Sequence, residues 1–509
     1  MLDSLLSDAS TRFPQNTALI FEDKSYTYAE LSRLTRNLAA GLIERGIRSG
    51  DRVTFLLSNG LEIVLCYYAC FRVGALAVPL NLRFQPELLQ YVINHSGARI
   101  LVSQPDLFSQ IEKIRSSLLG IEEFYLTSRH SEFTDVRPFN ELLAGASDLI
   151  PPTLSGNSPA AIYYTSGTTG LPKAVIHTHG GLTKATELQI DQIAISPADT
   201  TVILFSLCYL IGFGSQILPF HHSGARCVLL PEFQPEAALA AIETYQVTKI
   251  YGFPKLYNEL INYPEVGSYN VKSLNFCFSA GEAIAVAIQK RFKQTFGVDI
   301  TEGCGMTELQ IYSMNPPYGK KKKGSIGRPI AGMELSLIDD SGRSIVIARQ
   351  VGEMIVRGGS MTVGYWRDAS LTSNTIREGW FHTGDLAYRD EQGFYWFVSR
   401  KSEIIHHEAG LVSPIEVEGA LYEHPAVLEA GVTGVPDKFG GELPEAYVVL
   451  KKGGAQVTES ELIDFVRTRL PGYKVPHRIT LTAELPHGPT GKIDRKSLRI
   501  SVAATVREA

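Results

Sequence analysis

Ten residues, Tyr164 to Lys173, read YTSGTTGLPK and follow the apolar stretch AAIY. Gly167 and Gly170 free the backbone to turn its N–H groups toward an anion. The hydroxyls of Thr165, Ser166, Thr168 and Thr169 add donors, and Lys173 adds full positive charge. Such a loop suits a di- or triphosphate. It is not a Walker A loop, because Gly170 is followed by Leu171-Pro172 and not by Gly-Lys-Ser/Thr. A plain Ser/Thr/Gly linker is the competing reading, but linkers seldom pack so many donors directly behind a buried strand.

The elements that position this loop are legible as alternating period and composition. Tyr28 to Arg45 repeats apolar residues at helical spacing and stops at Gly46 and Ser49-Gly50. RVTFLL, from Arg52, reads as a buried strand, LEIVLCYYACFRVGA as a helix and LAVPL as a short strand. The alternation returns at ARILVSQ, at ARCVLL before helical EAALAAIETY, and at VTKIYGF before helical KLYNELINY. Strand and helix in turn predict a parallel α/β sheet. After about Gly324 short strands take over, with hairpin signals at Asp340-Ser341-Gly342 and Gln392-Gly393. Past Arg400 a compact α+β pattern begins: helix PIEVEGALYEH, strands EAGVTGV and EAYVVLK, helix TESELIDFVRTRL. The expected division is a large domain over 1–399 and a small one over 400–509, since a chain of 509 residues exceeds what one core serves.

Composition narrows the function classes. Hydrophobic residues make up 44% and charged residues 20%, a globular profile, and a net charge of -5 gives no global pull toward nucleic acid or an acidic membrane. The one basic cluster, Lys320 to Lys323, reads as a solvated loop. Six cysteines without a CxxC pair, most in apolar surroundings, suit a reducing compartment, and the cytoplasm is expected. The first residues carry no basic and apolar leader pattern. Thr201 to Phe220 is uncharged, but Gly212, Gly214 and Pro219 interrupt it, so a buried strand and helix are expected and no membrane span.

YTSGTTGLPK resembles the signature of the adenylate-forming superfamily of acyl- and aryl-CoA ligases, luciferases and peptide-synthetase adenylation domains. The resemblance extends from about Tyr26 to Arg495. It implies an α/β fold: a large N-terminal domain of parallel α/β subdomains and a β-rich subdomain, plus a small mobile α+β lid. Ser279-Ala280-Gly281-Glu282 resembles the turn beneath the adenine. Glu302-Gly303-Cys304-Gly305-Met306-Thr307-Glu308 resembles the YGMTE motif, in which Thr307 contacts phosphate and Glu308 holds Mg²⁺, a hard cation that prefers oxygen. Cys304 stands where many relatives place an aromatic residue on the adenine. Trp380 to Asp385 resembles the segment whose aspartate takes the ribose hydroxyls, a geometry natural to a carboxylate. Arg400 resembles the arginine near ribose and phosphate, Ser402 falls at the hinge, and Pro489 to Arg495 (PTGKIDR) resembles the motif carrying the adenylation lysine, here Lys492.

The implied reaction joins a carboxylic acid to AMP, releases pyrophosphate, and passes the acyl group to coenzyme A. Both partners of the first step are anions, so Mg²⁺ at Glu308, Lys173 and Lys492 would cancel charge. The implied acid pocket comprises Tyr209, Ile211, Ser215, Phe278, Gly281, Gly303 and Gly305. No acidic residue near Leu210 awaits an α-ammonium group, which disfavours amino acids. SAGEAI, TELQIYSMNPP and VSPIEVE resemble benzoate-type ligases, so an aryl or arylalkanoic acid is expected. A medium-chain fatty acid, a carrier-protein pantetheine as acceptor and a silent adenylate-binding protein are the alternatives. One lid loop departs from the family: His406-His407-Glu408-Ala409-Gly410 stands where relatives read Lys-x-x-Gly. Neighbouring histidines point apart on a strand, which argues against a metal there.

Overall fold

The computed structural model describes residues 1–130, 132–145, 152–165, 171–438, 440–451, 457–488 and 493–499. Its centre is formed by two large sheets. The first runs Arg328–Pro329, Gln310–Met314, Ile300–Met306, Phe276–Ser279, Lys249–Gly252, Thr200–Ile203, Arg226–Leu229, Thr17–Phe21, Lys24–Thr27, and its middle strands are parallel. The second runs Gly364–Tyr365, Lys173–Thr178, Pro159–Thr165, Leu76–Pro79, Arg52–Leu56, Ile100–Ser103, Glu123–Leu126, Arg137–Pro138. Its parallel strands Arg52–Leu56, Leu76–Pro79 and Ile100–Ser103 are mostly apolar and almost wholly buried, as strands covered on both faces tend to be.

The predicted helices form where their signals lie. Tyr28–Glu44 starts at a capping box: the Thr27 hydroxyl accepts from the Glu30 N–H, and the Glu30 carboxylate accepts from the Thr27 N–H at 2.8 Å. Leu61–Val73 lies almost wholly inside and packs on Tyr28–Glu44. The uncharged run from Thr201 resolves into strand Thr200–Ile203 and a helical run from Leu210 to His222 with a π turn over Phe213–Ile217. Pro219 has no N–H for the carbonyl of Ser215 four residues earlier, and the coil widens there. Phe213 stacks on Tyr67 at 3.8 Å between centroids, so this run is core. Among the described residues no helix is long and apolar enough to cross a membrane.

A five-stranded antiparallel sheet carries Met333–Ile338, Gly352–Gly358, Trp380–Arg389, Ile376–Arg377 and Tyr395–Arg400. The small C-terminal part has a three-stranded sheet, Val427–Pro436, Glu442–Leu450 and Arg478–Leu481, and a hairpin of Ile405–His407 with Gly410–Val412. Helices Pro414–Tyr422 and Glu459–Arg467 pack on its core of Val417, Leu421, Val432, Val448, Leu462 and Val466.

The lysine run corrects its sequence reading. Lys321 donates to the Thr301 hydroxyl at 2.7 Å, Lys322 pairs with Asp390 and lies over the Phe394 ring, and Lys323 pairs with Asp299 at 3.1 Å. This segment is a tether beside strand Ile300–Met306 and not a solvated loop. Partners more than sixty residues away (Asp390, Phe394) could not be seen from the run itself.

Three buried histidines set an acid limit on stability. Burial pushes His177, His179 and His221 down to about 4. The unfolded chain would bind protons on them near pH 6.5, and the folded chain does not until about pH 4. Their contribution is therefore complete above pH 6.5 and is lost as pH falls toward 4, at up to ~1.4 kcal/mol per pH unit for each. Glu302 works the other way: burial raises it to about 8, so its penalty eases on acidification. Three groups outweigh one, so the melting temperature should fall between pH 6.5 and 4.5. His179→Leu should shallow that fall, because neither ring nitrogen of His179 has a partner among the described residues. A pH-independent melting temperature over this range would refute the assignment.

Candidate active site

The phosphate-type loop is framed by two antiparallel strands. Pro159–Thr165 enters it and Lys173–Thr178 leaves it, with Thr165 and Lys173 as cross-strand partners. The entering strand continues through Tyr164 and Thr165, two residues further than AAIY suggested. Ser166, Gly167, Thr168, Thr169 and Gly170 lie outside the described residues, and so does Lys492.

The segment Glu302 to Glu308 lies at the C-terminal end of the first sheet. Strand Ile300–Met306 pairs with Gln310–Met314 in a tight hairpin, Met306 opposite Gln310. Glu308 is buried at 7% exposure, and the Tyr365 hydroxyl donates to its Oε1 at 2.9 Å. The Thr362 N–H donates to the Glu308 carbonyl at 2.7 Å. The Thr307 carbonyl accepts from His177 Nε2 at 2.6 Å, and burial keeps that histidine neutral. Three sequence-distant residues, His177, Thr362 and Tyr365, thus fix two adjacent ones. None of the three was singled out in the sequence, because each becomes informative only through what it touches.

Glu302 opens this segment and is buried. Its Oε2 accepts from Gln289 Nε2 at 3.0 Å and from the Gly324 N–H at 3.1 Å. Gly303 has no room for a side chain: a Cβ there would lie 2.6 Å from the Phe278 ring and from the Ser313 carbonyl oxygen. At Gly305 a Cβ would lie 2.7 Å from the Gln310 carbonyl. Both glycines let strands and rings approach closely. The Cys304 thiol accepts from the Tyr312 hydroxyl at 3.0 Å, so an aromatic ring from the neighbouring strand stands behind the cysteine. Gly281 has φ +91, the left-handed backbone that the turn after Phe276–Ser279 requires.

Asp385 and Arg400 are cross-strand partners in Trp380–Arg389 and Tyr395–Arg400, with Arg400 Nε 3.4 Å from Asp385 Oδ1. Arg400 therefore ends the last strand of the antiparallel sheet. Around the acid-pocket segment, Tyr209 precedes the helical run and its hydroxyl donates to Asn81 Oδ1 at 3.4 Å. Ile211 is half-buried, Ser215 lies inside the π turn, and Phe278 is fully buried beside Tyr251.

The small domain closes over this region. The Ile493 N–H donates to Glu282 Oε1 at 3.3 Å, which sets the residue after Lys492 against the Gly281 turn. Arg495 anchors the same segment, donating to Glu418 Oε2 at 3.1 Å and to Glu403 Oε2 at 3.2 Å. In the unusual lid loop the hairpin turn puts its positive φ, +138, at Gly410, so the glycine requirement is met one residue later than in the family pattern. The His406 N–H donates to Glu442, and His407 Nδ1 accepts from the Ala409 N–H at 3.0 Å. Among the described residues no three of His, Cys, Asp and Glu group to hold a metal on their own. One buried carboxylate beside a threonine does fit Mg²⁺, which is commonly held by one or two carboxylates together with substrate phosphates.

Comparison with known proteins agrees with this arrangement. Residues 6–366 match the AMP-binding enzyme family and residues 416–492 match the AMP-binding enzyme C-terminal domain. A long-chain-fatty-acid–CoA ligase of Bacillus subtilis (strain 168) is 31% identical over 98% of this chain and 94% of its own. A feruloyl-CoA synthase of an Amycolatopsis species is 31% identical over 96% of both chains. The crystal structure of an anthranilate CoA ligase in complex with anthranoyl-AMP superposes with a TM-score of 0.94 at 29% identity, over 99% of this chain and 98% of that one. A benzoate CoA ligase from Burkholderia xenovorans LB400 gives 0.90 at 29% identity, over 98% and 99%. The chain belongs to the AMP-binding enzyme family, among its acyl- and aryl-CoA ligases.

Proposed function

We propose that the protein activates an aryl or arylalkanoic acid with ATP, forms the acyl-adenylate, and transfers the acyl group to coenzyme A. The observation that carries the aryl reading is the aromatic packing behind the acid segment, where Phe278 lies directly on the bare backbone of Gly303 and beside Tyr251. Relatives named for ferulate, coumarate, hydroxybenzoate and anthranilate support the same reading. The Bacillus subtilis relative, which is named for long-chain fatty acids and matches 98% of the chain, favours a fatty acid as the second reading.

In the proposed mechanism the acid's carboxylate attacks the α-phosphate and pyrophosphate leaves. The protein supplies placement and positive charge and needs no covalent nucleophile. Thr165, Ser166, Gly167, Thr168, Thr169 and Gly170 would wrap the phosphates, with Lys173 and Thr307 beside them. Gly281, Glu282, Glu302, Gly303 and Cys304 would frame the adenine, and Asp385 with Arg400 the ribose. Glu308 would hold Mg²⁺, which when bound neutralises phosphate charge. Tyr209, Ile211, Ser215, Phe278, Gly303 and Gly305 would enclose the acid, and Lys492 would bridge carboxylate and phosphate. The Ile493–Glu282 contact supports a lid closed for adenylation. We read the division as 1–399 and 400–509, with the small domain turning about Ser402 between half-reactions. The acceptor is coenzyme A; a carrier-protein pantetheine is the alternative. Six cysteines, five of them buried, support a cytoplasmic location.

Acid-dependent pyrophosphate release, screened across aromatic and aliphatic acids, tests the reading, with coenzyme A and candidate carrier proteins offered as thiols. Benzoate-like acids should exceed octanoate in kcat/KM by about tenfold or more. A higher kcat/KM for octanoate would overturn the aryl reading and leave the ligase intact. Adenylate without transfer to coenzyme A would overturn the acceptor.

A further inference from the structure

Gln310 violates two local rules at once. It has φ +59, a left-handed backbone that a residue with a Cβ adopts at a cost. Its side chain is also buried, at 3% exposure, and among the described residues neither Nε2 nor Oε1 has a hydrogen-bond partner. A buried amide without partners forfeits the hydration of a donor and an acceptor together. A glycine would remove the first cost and a methionine of the same length the second.

Its position indicates a use. Gln310 follows Glu308 by two residues and pairs with Met306 across the hairpin. The Oε1 atom reaches the π turn: a Cβ on Gly214 would come within 3.6 Å of it. Gly214 adjoins Ser215 and lies three residues past Ile211, so the amide faces the segment assigned to the acid. Its backbone carbonyl lies against Gly305. Neither of these two glycines offers a side chain to the amide.

We propose that Gln310 is a specificity-determining residue whose side-chain amide binds a hydroxyl or amino substituent on the acid, so that the preferred substrate is a hydroxy- or amino-substituted acid and not its unsubstituted parent. The inference rests on the acid-pocket reading above. An amide presents an acceptor and a donor side by side, and a hydroxyl or amino group answers both. Such a site discriminates sharply, because the unsubstituted acid leaves the amide buried and unpaired.

The test compares matched pairs, benzoate with the hydroxy- and aminobenzoates and octanoate with hydroxyoctanoates, in the wild type and in Gln310→Met. That variant keeps length and unbranched shape while removing the amide. In the wild type at least one substituted acid should exceed its parent in kcat/KM by about 100-fold, and in Gln310→Met the ratio should shrink to within about threefold. The KM for ATP should stay the same, and the variant's own melting temperature should equal or exceed the wild type's. A ratio unchanged by the substitution, a wild type that prefers the parent acids, or a markedly lower melting temperature in Gln310→Met overturns the proposal. Acid-induced stabilisation without ATP separates this from the ligase reading. If no acid releases pyrophosphate but substituted acids raise the melting temperature of the wild type and not of Gln310→Met, the ligase reading fails and the assignment of Gln310 stands. If they raise neither, the assignment falls too.

Discussion

Lys492→Ala should reduce acid-dependent pyrophosphate exchange by about three orders of magnitude, or ~4 kcal/mol of transition-state stabilisation. A carboxylate cannot approach an α-phosphate without a cation between them, since two like charges in a water-poor site repel strongly. The lysine in PTGKIDR is the cation that the closed lid would bring. The next residue, Ile493, donates its N–H to Glu282, and Arg495 is gripped by Glu418 and Glu403. Thioester formation from supplied acyl-adenylate should survive in the variant, because that step needs no cation between the acid and ATP. The measurement is the two half-reactions assayed separately. Equal loss of both would exclude Lys492 as the adenylation lysine and make it a structural residue of the lid.

How much of this could be read from the chain depends on the range of the interactions involved. Tyr28–Glu44 was legible because a stop and a 3.6-residue period are local; the Thr27–Glu30 box that starts it, contained in four residues, is a local signal that the structure added. The glycine- and hydroxyl-rich loop was legible because its donors are contiguous. Strand pairing was not: Thr17–Phe21 lies beside Arg226–Leu229, a partner some two hundred residues on, and nothing in either strand specifies the other. The same limit applies in the site. Glu308 stands within a motif, but the hydroxyl that orients it comes from Tyr365, and the imidazole behind Thr307 comes from His177. Cys304 read as the loss of an aromatic residue. The fold returns a ring to that neighbourhood with Tyr312, which a pleated strand with a register shift brings to the thiol. Gln310 could be quoted in TELQIYSMNPP without significance, because its burial and left-handed backbone are properties of the packed hairpin alone.

Glu308→Gln tests the other large electrostatic contribution, and the structure allows it to be made without disturbing the surroundings. The carboxylate is buried and Tyr365 donates to one of its oxygens. Glutamine keeps the shape and can still accept that bond through its amide oxygen, so the fold should hold and the melting temperature should change little. What is lost is one unit of negative charge on a hard oxygen ligand. Mg²⁺ dehydrates reluctantly and depends on anionic oxygens, so an amide is a poor replacement. Pyrophosphate exchange should fall about 100-fold or more at a fixed low Mg²⁺ concentration. Part of that loss should return as Mg²⁺ is raised, because the nucleotide phosphates supply the remaining ligands. Tyr365→Phe serves as the comparison: it leaves the charge and removes only an orienting hydrogen bond worth roughly 1 kcal/mol, so its effect should be about tenfold or less and independent of Mg²⁺. If Glu308→Gln lowered activity by the same factor at every Mg²⁺ concentration, the carboxylate would be acting on the hairpin's shape and not on a metal, and the ion would have to be held by the nucleotide alone.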